Sequence, residues 1–364
     1  MNRRRWTLSI AVILLAGCLA LLDAYWRWHD AGTITRDAVL SAMPPDASAV
    51  LFADLTELRH APFATELYNW IPKSHADAEY AQFLRETGFD YERDLDRAAI
   101  AVIKGEKESK LFAVAEGRFD RRKIEAYASQ SGTRENRGGR EIFSVPLNDS
   151  TRKITFAFLS KEKVALTDSG ALAPFLAPLP NSADARAWRE RFTRVAGSPV
   201  FAVMRQDAAA GSALASRTPG GFQSPQLSAL LDQLQWITLA GKPQDNALRI
   251  VAEGECTSEQ TARQLADLFN GLLVLAQAGL SGPKTRRQLD PRIRDAYLEL
   301  VKGADVSRLD RGETKSVRVV FDVTPKLLEA ATIALPAAPT PAAPAIPARK
   351  GRAAKAGAQK AMKN

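Results

Sequence analysis

Two cysteines and three histidines are all that 364 residues hold of the side chains that most often bind metals or pair as nucleophile and base. Cys18 and Cys256 are too few and too far apart for a disulfide framework or a metal knuckle. His29, His60 and His75 stand 31 and 15 positions apart, without the short spacing that puts two imidazoles on one ion. No G-x-S-x-G elbow is present for a serine nucleophile. Neither adjacent glycine pair, Gly138-Gly139 or Gly220-Gly221, both follows a strand and opens a helix, so a phosphate cradle is missing too. These absences argue against an enzyme. The sequence offers no catalytic residue, no metal ligand and no cofactor-binding residue, and a hydrolase with an unrecognised site stays only as an alternative.

Net charge is also missing, from the body of the chain. Of the formal +9, three charges belong to Arg3, Arg4 and Arg5, and six to Arg349, Lys350, Arg352, Lys355, Lys360 and Lys363. Residues 6–348 are therefore neutral overall, and the basic face that a nucleic-acid-binding body needs is not expected. An apolar share of 46% with 25% charged residues is ordinary globular composition, enough to bury a core.

What the chain does have begins at residue 6. Three arginines precede an apolar run from Trp6 to Leu22, and Trp6 and Trp26 lie about 30 Å apart on a helix, the thickness of a hydrocarbon core. Residues 1–28 read as a membrane-spanning anchor with the arginines in the cytoplasm and Tyr25, Trp26 and Trp28 at the outer interface. The second reading is a lipoprotein signal, since Leu15-Ala16-Gly17-Cys18 resembles the lipobox in which Cys18 is acylated, although Leu19-Ala20-Leu21-Leu22 continues the apolar run past it. Both place residues 30–364 outside the cytoplasm: in the bacterial envelope, and in the periplasm of a Gram-negative cell.

Beyond the anchor, residues 29–43 read as a polar stalk ended by Pro44-Pro45. The tetrapeptide Val-Ala-Glu-Gly then occurs twice, at Val114–Gly117 and Val251–Gly254, each time ending an apolar run and preceding a helix start. Upstream, Ala98–Ile103 aligns with Gln235–Ala240, and the segments Gly105–Ser109 and Gly241–Asn246 read as polar hairpins. The expected fold is α+β: two tandem related units of antiparallel strands with packed helices, at residues 44–180 and 197–333, behind an N-terminal membrane helix. Residues 181–196 form a bridging helix, and 334–364 an Ala/Pro-rich basic tail with too little apolar area to order itself.

Four features could carry function. Glu116 and Glu253 of the twin tetrapeptides suggest paired carboxylates, but period-two alternation sets each opposite an alanine, on the solvent side at a strand end. A helix from Thr257 to about Ala278, with Thr257 and Gln260 as a capping box, carries an apolar stripe wider than one packed face needs; Leu268, Phe269, Leu272 and Leu273 could line an apolar groove. Cys256 beside it is expected to be structural. The six cations of the tail could tether the chain to envelope proteins or to acidic envelope polymers.

The opening Pro45-Asp46-Ala47-Ser48-Ala49-Val50-Leu51-Phe52-Ala53-Asp54 and the later Gly117-Arg118-Phe119-Asp120 resemble a bacterial family of membrane-anchored extracytoplasmic proteins of unknown function. The resemblance covers residues 44–180 and 197–330 and implies no catalytic residue. The expected role is a non-enzymatic envelope interaction or scaffolding module; a carrier of a lipid or other apolar ligand is the alternative from a second class.

Overall fold

Alternation along Ala47–Asp54 (β1) sends Val50 and Phe52 to one face of a sheet and Leu51 and Ala53 to the other. The computed structural model describes residues 39–64, 67, 78–105, 109–146, 153–176, 182–206 and 231–334. A short helix, Leu55–Arg59 (α1), follows β1 directly. Its cap is Asp54, whose carboxylate accepts from the Glu57 amide at 3.0 Å, satisfying an orphan donor of the first turn. Next come Ala78–Thr87 (α2), one helical turn at Tyr91–Asp94 (α3), and the hairpin Leu95–Ile103 (β2) and Lys110–Gly117 (β3). Asp120 caps Arg121–Ser131 (α4), its side chain accepting from the Lys123 amide at 3.2 Å.

Four strands follow: Thr133–Arg137 (β4), Arg140–Pro146 (β5), Lys153–Phe158 (β6) and Lys163–Thr167 (β7). The last three form an antiparallel meander, and β4, with no apolar alternation, pairs with β5 at its edge. The bridging helix is Ala183–Arg194 (α5), and the chain continues through Val200–Arg205 (β8), Leu234–Gln244 (β9) and Ala247–Cys256 (β10). Then come Glu259–Ser281 (α6), Pro283–Gln288 (α7), Pro291–Gly303 (α8), Asp305–Arg311 (β11), Thr314–Val323 (β12) and Pro325–Ala334 (α9).

All the strands join one twelve-stranded antiparallel sheet, ordered β11-β12-β10-β9-β8-β1-β2-β3-β7-β6-β5-β4. The strands of 44–180 and those of 197–333 meet edge to edge where β1 pairs β8, so the two halves of the sequence share one sheet. Its two outer strands are defended by charge: Arg134, Glu135 and Arg137 on β4, and Asp305, Arg308, Asp310 and Arg311 on β11. Charged edges discourage further strand pairing.

Register shows which helices share a face. Ala115, Ala98, Ala53, Val200, Gly241, Ile250 and Phe321 are successive partners across seven strands, so they point the same way. Helix α4 packs on this face through Ile124, and α6 through Leu265 against Val317 and Cys256. The opposite face carries the largest core, where Trp188, Phe192 and Val195 from and just after α5 meet Phe52, Val114, Phe201 and Val203. Val39, Leu40 and Met43, assigned from sequence to the stalk, are buried in that core too. They are the apolar letters of a polar stretch, and the sheet takes them in.

The hairpin-then-helix unit does occur twice, but its strands align differently from the expectation. Val114 pairs Ala99 whereas Val251 pairs Ala240, so Ala240 corresponds to Ala99 and not to Ile103. The reason is turn length. β9 runs on through Gly241–Gln244 and reverses over Asp245-Asn246, with Asp245 at φ 51°, while β2 already ends at Ile103. The four-residue slip is even, so it preserves which side chains face which way.

Among the described residues no helix is long and apolar enough to cross a membrane. The expected anchor of residues 1–28, with Cys18, lies outside the described residues, as does the basic tail with Arg349, Lys350, Arg352, Lys355, Lys360 and Lys363.

Candidate interaction surface

Helix α6 starts one residue later than its expected cap. Ser258, not Thr257, is the N-cap: its hydroxyl accepts from the Thr261 amide at 3.1 Å, and the Thr261 hydroxyl reaches the Gln233 side chain at 2.7 Å. The first two turns then bury Thr261, Ala262, Leu265 and Ala266 against the sheet. Beyond them the helix leaves its support. Leu268, Phe269, Leu272 and Leu273 are each half-buried, and Phe269 packs against the small core of Leu234, Cys256, Leu265 and Val317. Val274 and Leu275 are 64% and 68% exposed. A single exposed aliphatic needs no explanation, but two neighbours on one long helix, continuous with half-buried leucines, form an apolar ridge. The sequence signal for it was the stripe wider than one packed face.

The twin glutamates are not on a solvent side. Glu116 is 1% exposed, and Glu253 is also buried. Period two places them correctly, opposite Ala115 and Ala252, but that face is the one α5 and the largest core occupy. Glu116 is held between partners on the two neighbouring strands: Lys163 Nζ lies 3.0 Å from one carboxylate oxygen and an Arg97 nitrogen 3.7 Å from the other. Arg97 also donates to Asp54 at 2.9 Å, so Asp54, Arg97, Glu116 and Lys163 alternate in sign across β1, β2, β3 and β7. This row needed the register to be seen, since its members are scattered over more than a hundred residues.

Glu253 has its own cations. Arg311 grips both its oxygens and Arg318 stands 3.6 Å away. Burial works to raise the Glu253 pKa, but the hydrogen bonds and charge of Arg311, with that of Arg318, outweigh it and hold the carboxyl below its ordinary value. Five strand spacings separate β3 from β10, roughly 24 Å, so Glu116 and Glu253 cannot act as one carboxylate pair. Glu255, two residues on, fastens α5: Arg191 donates to it, and Arg194 does so at 2.8 Å. Arg191 also lies 4.0 Å over the Trp236 ring, which meets Trp188 edge-on at 4.9 Å. These charges hold the architecture together, each against a named neighbour.

The remaining candidates disperse. Cys256 is buried, and desolvation pushes its thiol up to about 11, so it is protonated and unreactive at neutral pH. His60 is an exposed residue at the end of α1, and His29 and His75 lie outside the described residues. No cluster of three metal-ligating side chains occurs among the described residues. A pocket of 280 Å³ opens at the β9–β10 turn, lined by Asp245, Asn246, Arg249, Asp322 and Thr324, and includes no α6 residue. Arg249 there is paired with Asp322 at 2.9 Å.

No family model matches this chain, and no curated protein matches it. Among solved structures it is similar to TP0453. Crystal form III of that protein aligns at 9% identity and a TM-score of 0.42, covering 83% of this chain and 99% of the other. Form IV gives 9% and 0.43 over 82% and 96%. A likeness this distant carries no argument about function.

Proposed function

We propose that this chain is a non-enzymatic interaction module of the bacterial cell envelope, tethered to a membrane through residues 6–28 and presenting the C-terminal half of α6 to its partner. The observation that carries the reading is the exposure of Val274 and Leu275 at the end of a helix whose first turns are firmly packed. A rigid base with an apolar ridge is what a docking element needs, because little ordering entropy remains to be lost on binding. The buried acids support the same reading: Glu116, Glu253 and Glu255 are each engaged by cations that hold strands and helices together. The tail cations Arg349, Lys350, Arg352, Lys355, Lys360 and Lys363 would add a second, electrostatic contact to acidic envelope polymers or proteins.

The test is photo-crosslinking in intact cells, with a benzoylphenylalanine at Val274 and, for comparison, at Glu135 on the exposed edge strand β4. A discrete adduct at Val274 but not at Glu135, whether with protein or with lipid, supports the reading. No adduct at Val274 removes it.

A further inference from the structure

The ridge of α6 runs into charge of a single sign. From Leu268 to Leu289 the chain has no acidic residue, while Lys284, Arg286 and Arg287 of α7 are all exposed. Other arginines on this layer have partners: Arg263 with Glu259 at 2.8 Å, and Arg292 with Glu329 at 3.4 Å. No ion pair among the described residues uses Lys284, Arg286 or Arg287. One cation would answer the negative end of the α6 dipole; three exceed that need. Leu275 stands six residues before the end of α6, about 9 Å of helix. Gly282, at φ −67° and ψ 151°, then breaks the helix and Pro283 opens α7. The apolar pair and the three cations therefore occupy one end of the body.

We propose that this end, Val274 and Leu275 with Lys284, Arg286 and Arg287, docks on the surface of an anionic lipid bilayer. The inference rests on α6 being the interaction surface and names what it meets. The aliphatic side chains enter the headgroup region and the cations take the lipid phosphates, the combination by which interfacial helices bind. Charge complementarity selects this occupant: the body is neutral overall, the nearby acids Asp290 and Glu299 are already engaged by Arg292 and Lys326, and Lys284, Arg286 and Arg287 are left to meet an anionic surface. Helix α6 is about 34 Å long, enough to cross a bilayer, but Glu259, Arg263 and Asp267 and the packing of Leu265 on the sheet keep it from spanning. It lies on the membrane. A tethered body samples the surface at high effective concentration, so a small ridge suffices.

The experiment uses the full chain with Cys18→Ser and Leu275→Cys, an environment-sensitive fluorophore on the new thiol, and buried Cys256 left in place. The protein is reconstituted through its N-terminal segment into vesicles of equal parts phosphatidylcholine and phosphatidylglycerol, or of phosphatidylcholine alone. The expected result is blue-shifted emission, quenched by nitroxide-labelled lipid, in the anionic vesicles only. A probe at Glu135→Cys stays aqueous in both. Substituting Lys284, Arg286 and Arg287 by Gln lowers the docked-to-free ratio roughly fivefold per charge, and added salt does the same. Unchanged circular dichroism of the triple variant shows that folding is not the cause. An aqueous probe in both vesicles overturns the proposal, as does equal burial in both that ignores the triple substitution. A protein adduct at Val274 in cells beside an aqueous probe in vesicles overturns the bilayer and leaves the interaction surface standing; absence of both removes both.

Discussion

Phe52 and Phe201 are register partners across the β1–β8 pair, their rings stacked with centroids 5.0 Å apart. Each comes from a different half of the sequence, and both are buried in the core that α5 covers. The junction is thus a packed aromatic contact within a hydrogen-bonded sheet. Phe52→Ala is expected to destabilise the body by about 3–5 kcal/mol, as truncating a buried aromatic does. Because one sheet and one core serve both halves, urea unfolding followed by tryptophan fluorescence and by far-ultraviolet dichroism should shift as one transition. Two separated transitions, only one of them moved, would defeat the shared-core account.

The twin glycines of the repeat are not equally tight. A Cβ on Gly117 would sit 2.3 Å from the Asp94 carbonyl oxygen, a fixed backbone atom, whereas on Gly254 it would meet the Leu234 side chain at 2.9 Å. Backbone cannot step aside as a leucine rotamer can. Gly117→Ala should cost about 3 kcal/mol and Gly254→Ala about 1, within the range for overpacking. Equal denaturation midpoints for the two variants would contradict this ordering.

Acid should loosen the second half of the sheet through Glu253. Its pKa is held below the ordinary value, so in the unfolded chain it binds a proton first. Its contribution is fully present above the unfolded value of about 4.3 and is lost as pH falls through the lower folded one. Glu253→Gln removes that contribution at neutral pH, about 1–2 kcal/mol given that Arg311 is partly open to solvent. The variant's stability should also fall less steeply than the parent's below about pH 5. Parallel stability–pH curves for the two proteins would show that Glu253 is not the responsive group.

Much of the architecture could be read from periodicity and caps. Asp120 and Asp290 are capping residues placed just before a helical run, and β5 to β7 are three short alternating runs joined by polar turns, both signals legible in the letters alone. The strand β4, Thr-Arg-Glu-Asn-Arg, carries no apolar signal because an edge strand exposed on both faces needs none. Burial of Glu116 escaped because alternation tells which residues share a face and not what lies over that face. The ion pairs that accommodate it come from Arg97 and Lys163, neighbours only once register is known. For α6, the excess apolar stripe was visible, but which residues stay uncovered depends on where the sheet stops beneath the helix. The ridge ends in Val274 and Leu275, beyond the four leucine and phenylalanine positions first singled out.

The two halves of α6 should therefore answer the same substitution in opposite ways. Leu265 is 1% exposed, and an aspartate there would place an unpaired carboxylate among Leu234, Cys256 and Val317. Leu265→Asp should abolish cooperative folding, since such burial exceeds the total stability margin of many domains. Val274→Asp and Leu275→Asp replace groups already facing water and should stay within about 0.5 kcal/mol of the parent. Leu272 is half-buried, so Leu272→Asp is expected between these limits, at about 1–3 kcal/mol, with a folded protein remaining. Thermal unfolding of the four variants resolves the order. Should Val274→Asp prove as damaging as Leu265→Asp, the C-terminal half of α6 is core, and the apolar ridge is not free to bind anything.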